Sequence, residues 1–139
     1  MELKAFQELV KEQSAQAEAE LRTAKEAAAV GSRDLFERSI RRLIRNKYLL
    51  EDVPEPEDVL SALSDESTRR VLILTEGNLK AAEISAGCLE ADTSEMKVVL
   101  LVLMLRRSFG LNFPPEKTAD LETVGELCRF LWGEIISRS

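Results

Sequence analysis

Apolar residues recur every three or four positions through most of this chain, which is the period of a helix face rather than of a strand. Over residues 2 to about 30 they fall at Leu3, Phe6, Val10, Ala17, Leu21, Ala24 and Ala28, a narrow stripe weakened by Gln13 and Ser14. Strong helix formers fill the rest of that segment, so it predicts one long helix whose stripe needs a partner. Gly31 can end it, and Ser32 or Asp34 can cap a second helix from about Asp34 to Leu50. In that helix Leu35, Phe36, Ile40, Leu43, Ile44 and Lys47 line one side, while Arg38, Arg41, Arg42 and Arg45 occupy the other. The run "EDVPEPED" follows. Its acids can neutralise the arginines, and Pro54 and Pro56 make it a linker and a boundary.

After the linker the pattern is less regular. Asp65 or Ser67 predicts the cap of a helix carrying Val71, Leu72 and Leu74, with Gly77-Asn78 as its stop. From Thr93 or Ser94, "SEMKVVLLVLMLRRS" predicts a helix to about Ser108, ended by Phe109-Gly110. Glu95 near its start and Arg106 and Arg107 near its end suit the helix dipole. Pro114-Pro115 then opens a short helical turn, and Thr123 begins a last helix with Leu127, Phe130, Leu131 and Ile135 facing inward. Asp120, Glu122 and Glu126 read as a solvated acidic face beside it.

Composition narrows the function classes. The 139 residues carry a formal charge of −6, which argues against general nucleic-acid binding, since that needs a net basic face. There is no histidine, which removes the commonest general base and most zinc sites. With no glycine-rich phosphate loop and no nucleophile beside an obvious base, the chain does not read as an enzyme. Cys88 and Cys128 form no CxxC pair and read as small buried hydrophobes of a reduced, cytoplasmic protein. The first residues do not resemble a signal peptide, and the longest apolar run, Val98 to Leu105, is too short to span a bilayer. The arginine stripe reads as solvated or ion-paired, with anionic lipid or phosphate as the alternative ligand.

The closing stretch, "FGLNFPPEKTADLETVGELCRFL", resembles the C-terminal half of an acyl or peptidyl carrier protein. Phe109, Gly110, Leu111, Phe113, Pro114, Glu116, Leu121, Thr123, Val124, Gly125, Leu127 and Leu131 follow that family's order without a gap. Met96, Val99, Val102, Leu103 and Leu105 fit the buried face of the family's second helix, and the resemblance covers about residues 59 to 139. It implies a four-helix module and, in the family, phosphopantetheine on a serine of an Asp-Ser-Leu motif at the start of the second helix. A helix N-terminus there favours a nearby phosphodiester. In this chain the local string is Asp92-Thr93-Ser94-Glu95-Met96. Counting back from Phe109 puts Glu95 at the serine position, and counting forward from "LEAD" puts Thr93 there. Ser94 is therefore the attachment candidate in a degenerate motif, and an ordinary N-cap, Ser, Thr or Asp before a helix with an acidic residue soon after, accounts for it better.

The resulting expectation is an all-α protein. Residues 1–52 form a two-helix N-terminal extension, and residues 57–139 form a carrier-like four-helix bundle. Its expected role is non-catalytic interaction or scaffolding without a phosphopantetheine cofactor; the alternative is a working carrier modified at Ser94. Carriers usually present an acidic second helix to partner enzymes. Here Val98, Leu100, Met104, Arg106 and Arg107 stand at the corresponding places. That helix is expected to be covered by the N-terminal helices, or to bind a protein partner or a second copy through residues 95–107.

Overall fold

A computed structural model describes residues 3–51, 58–75 and 94–137, apart from the side chains of Ser94, Glu95 and Pro115. The 52–57 linker, Gly77-Asn78, Cys88 and Asp92-Thr93 lie outside the described residues. The described residues form five α-helices: α1 (Leu3–Val30), α2 (Arg33–Lys47), α3 (Leu60–Leu74), α4 (Ser94–Ser108) and α5 (Val124–Ser137). A short 3-10 helix, Pro115–Thr118, precedes α5, and among the described residues the β-type pairing is an isolated antiparallel bridge between Val59 and Thr123. The protein is all-α.

α1 and α2 form a helical hairpin. α1 buries Phe6, Gln13, Ala17, Ala24 and Ala27, and its alanines allow close approach of the α2 backbone. α2 answers with Phe36, Ser39, Ile40, Leu43, Ile44 and Asn46. Gln13 does not interrupt the stripe. It is buried and accepts a hydrogen bond from Asn46 Nδ2 at 2.8 Å while donating to Glu51 Oε2 at 2.6 Å. Lys47, expected on the inner side, is exposed, and Asn46 takes the inward position because it has this amide to pair with.

Three helices stop in the same way, with a residue at positive φ and paired backbone hydrogen bonds back to the last turn. After α1, Gly31 (φ 75°) lets the Ser32 N–H reach the Ala27 carbonyl at 2.8 Å. After α4, Gly110 (φ 63°) lets the Leu111 N–H reach the Arg106 carbonyl at 2.9 Å. After α2 the residue is Leu49 (φ 60°), a conformation that costs a β-carbon-bearing residue roughly 1–2 kcal/mol. Arg45 braces it: its guanidinium donates to the Leu50 carbonyl at 3.0 and 3.3 Å and to the Glu51 carbonyl at 3.2 Å. Tyr48, Leu49 and Leu50 are all buried there, which offsets the strain.

α3 departs from expectation. It begins at Leu60 rather than at Asp65 or Ser67, and its N-cap residue Val59 makes no side-chain capping bond. A distant segment supplies the cap instead, since the Leu60 N–H donates to the Glu122 carbonyl at 2.8 Å. Its buried residues are Leu60, Leu63, Ser64 and Ser67, while Leu72 is exposed and Val71 and Leu74 are half-buried. α4 buries Leu101, Val102 and Leu105; Leu103 is half-buried, and Met96 and Val99, expected inside, are exposed. Leu100 and Met104 are half-buried.

Buried residues of all five helices form one hydrophobic core. α5 contributes Val124, Leu127, Cys128 and Leu131. Phe36 of α2 stands between Phe109 (ring centroids 5.6 Å) and Trp132 (5.2 Å), so the N-terminal hairpin packs directly on the C-terminal helices. Phe113, buried like Leu111 in the otherwise exposed loop after α4, meets Phe130 edge-on at 4.9 Å.

Candidate functional site

Ser94 is the first residue of α4, and its side chain and that of Glu95 lie outside the described residues. The turn that follows is described. Lys97 is half-buried and its Nζ donates to Ser67 Oγ of α3 at 3.4 Å. The Tyr48 hydroxyl donates to the Lys97 carbonyl at 3.3 Å and shares a hydrogen bond with Ser64. Burial pulls the Lys97 pKa down; burial pushes the Tyr48 pKa up, against the opposing effect of the Ser64 hydrogen bond. Tyr48, Ser64 and Ser67 are buried, so these groups tie α2, α3 and α4 together around the start of α4. On the solvent side, Met96 is 38% and Val99 48% exposed, and α3 exposes Leu72 and Ile73.

A second polar centre joins the two halves of the chain. Arg41 of α2 donates through Nη1 to Asp58 Oδ1 and through Nη2 to Glu37 at 3.1 Å. Burial lowers the Arg41 pKa, but the hydrogen bonds to Asp58 and Glu37 outweigh it, and the net direction is upward. Asp58 also accepts the Gly125 N–H on Oδ2 at 3.3 Å, and its carbonyl accepts the Val124 N–H at 2.8 Å. The carboxylate thus sits at the positive end of α5. A β-carbon at residue 125 would stand 3.4 Å from both Arg41 Nη2 and Asp58 Oδ2, so a glycine there leaves space for the pair. Thr123 completes the start of α5: its Oγ1 accepts the Glu126 N–H at 3.0 Å and its hydroxyl faces the Glu126 carboxylate at 3.2 Å. Glu126, expected in a solvated acidic face, is half-buried and part of the cap.

The arginine stripe divides in two. Arg41 and Arg45 are spent on contacts within the fold, and Arg38 and Arg42 are exposed. The acidic run read as a neutraliser contributes Asp58 to that end. Cys128 is buried, and burial pushes its thiol pKa up to about 12. Among the described residues there is no group of three or more His, Cys, Asp or Glu placed to hold a metal ion. No described helix is long and apolar enough to cross a membrane. The sequence missed the Tyr48–Ser64–Ser67–Lys97 cluster because its serines look like surface residues; their spacing with Leu60 and Leu63 was the available signal. Compared with known proteins, the chain matches no family model, no curated sequence and no solved structure.

Proposed function

We propose that this chain is an acyl-carrier-protein-like helical protein that acts as a non-catalytic interaction or scaffold module and carries no phosphopantetheine. The C-terminal order supports the carrier-like reading: a Phe109-Gly110 stop, a buried Leu111 and Phe113 loop, a short helical turn, and a Thr123-capped last helix. The observation that carries the interaction role is the character of α4 beside Ser94. Met96 and Val99 are exposed here, at positions where the carrier family buries its second helix. An apolar patch there suits a protein partner or a second copy that docks by burial rather than by charge. The buried free thiol of Cys128 agrees with a reduced, cytoplasmic setting.

The missing arm rests on Ser94, the first residue of α4, serving the start of the helix and nothing more. Glu95 beside it adds negative charge where a transferase must deliver a phosphodiester. Intact mass after incubation with coenzyme A and a promiscuous phosphopantetheinyl transferase tests this. The expected result is an unchanged mass for the wild-type chain, and for Ser94→Ala no change beyond that of the substitution itself. A stoichiometric adduct that Ser94→Ala abolishes would establish the alternative, a working carrier.

A further inference from the structure

We propose that α1 is an exchangeable arm hinged at Gly31-Ser32, and that a second copy of this chain is its partner, with α1 of each copy packing on α2 of the other. Four observations lead there. First, the connection is two residues long and is flanked by strong helix formers, "KEAAAV" before it and "RDLFER" after it. Positive φ at Gly31 is what turns the chain, and a residue with a β-carbon there would favour one continuous helix.

Second, straightening the hinge forfeits no hydrogen bond. The Gly31 and Ser32 N–H groups now bond the Ala28 and Ala27 carbonyls, and in a continuous helix the same two carbonyls accept them in the other order. Ser32 makes no side-chain capping bond that would be lost, and a β-carbon at residue 31 meets nothing within 4 Å. Third, among the described helices α2 is the one on which α1 makes its extended interface. The Ala17, Ala24 and Ala27 stripe and the Gln13–Asn46 pair would therefore be rebuilt intact between copies.

Fourth, Val30 at the hairpin tip is 77% exposed, more than any other large hydrophobe among the described residues. In an exchanged pair the two hinges run side by side about a two-fold axis, and each Val30 faces the neighbouring copy. The closed symmetry makes the product a dimer rather than a chain of copies. The α1–α2 face is separate from the exposed Met96 and Val99 of α4: it is already covered in the hairpin and, after exchange, is covered by another copy.

Light scattering of the whole chain across a concentration series tests it. Gly31→Ala should lower the dimer dissociation constant by about tenfold for each of the two hinges. Inserting Gly-Ser-Gly-Ser between Gly31 and Ser32 relaxes the turn and should keep the chain monomeric. Spin labels at Lys11→Cys and Lys47→Cys, in a Cys88→Ser, Cys128→Ala background diluted with unlabelled chain, distinguish exchange from surface pairing. Both positions are exposed, and both lie near the Gln13–Asn46 hydrogen bond in the hairpin. A straight helix would separate them within one chain by about 54 Å at ~1.5 Å per residue. Wild-type chain refolded at high concentration is read the same way. A Gly31→Ala protein that stays monomeric would overturn the proposal, as would a dimer that keeps the short intrachain distance, which would mark pairing through the surface instead.

Discussion

The thiol of Cys128 sits on the inner side of α5, close enough to Glu37, Arg41 and Asp58 to feel their charges. Burial is the main reason its pKa rises from 9.0 to about 12. An unfolded chain would lose that proton near pH 9, whereas the folded chain keeps it. The unfolded state therefore binds fewer protons between pH 9 and 12, and stability falls as pH rises through that window. Tyr48, also raised by burial, acts in the same direction above pH 10; Lys97, lowered by burial, acts in the opposite direction just below 10.5. Over about 1.5 pH units above 9 the Cys128 contribution amounts to about 2 kcal/mol. Urea unfolding at pH 8 and at about pH 10.5 measures it. Cys128→Ala should start less stable and lose less between the two pH values. An equal loss in both proteins would place the alkaline sensitivity elsewhere.

At the level of the helix, Thr123 is a local device with a local cost. Thr123→Ala removes the acceptor of the Glu126 N–H and should destabilise the protein by about 1 kcal/mol, with Thr123→Ser close to wild type. Equal midpoints for all three in thermal unfolding would show that Asp58 alone caps α5. Such local signals explain which elements could be read from the sequence. α1, α4 and α5 carry helical periodicity together with a glycine stop or a side-chain cap, α2 carries the periodicity and begins just after the Gly31 turn, and their limits were legible within a few residues. α3 was not, because its start is fixed by Glu122 and Thr123, more than sixty residues along the chain, while Asp65 and Ser67 mimic a cap inside the helix. The inward side of α4 was legible at Val102 and Leu105 but not at Met96 and Val99, for a related reason. A helix apolar on nearly all sides has little moment, so its packing partners decide which residues are covered. The start of α4 was legible in the candidate Ser94, but the polar cluster around it depends on three helices meeting, which no local pattern encodes.

Across the whole molecule, contacts fall into two kinds. The α1–α2 hairpin closes over a two-residue turn, whereas the joint that ties Asp58 and Val59 to Thr123, Val124 and Gly125 links residues up to 67 apart in sequence. Phe36, between Phe109 and Trp132, couples the two. These separations have a consequence in time. Closing a long loop costs chain entropy before any contact rewards it, so near contacts tend to precede far ones on the way to the native state. The hairpin should be formed in the folding transition state and the Asp58 joint should not. Asp58→Ala removes a half-exposed ion pair and one capping bond, worth together about 1 kcal/mol. In stopped-flow measurements it should speed unfolding about fivefold and leave refolding almost unchanged. Ala24→Gly, in the middle of α1, should instead slow refolding. The reverse pattern would mean that the chain ends meet first and the hairpin settles last. On the expected order, the Asp58 joint is the last fastening to close and the first to open, and it sets how long the folded protein lasts rather than how quickly it forms.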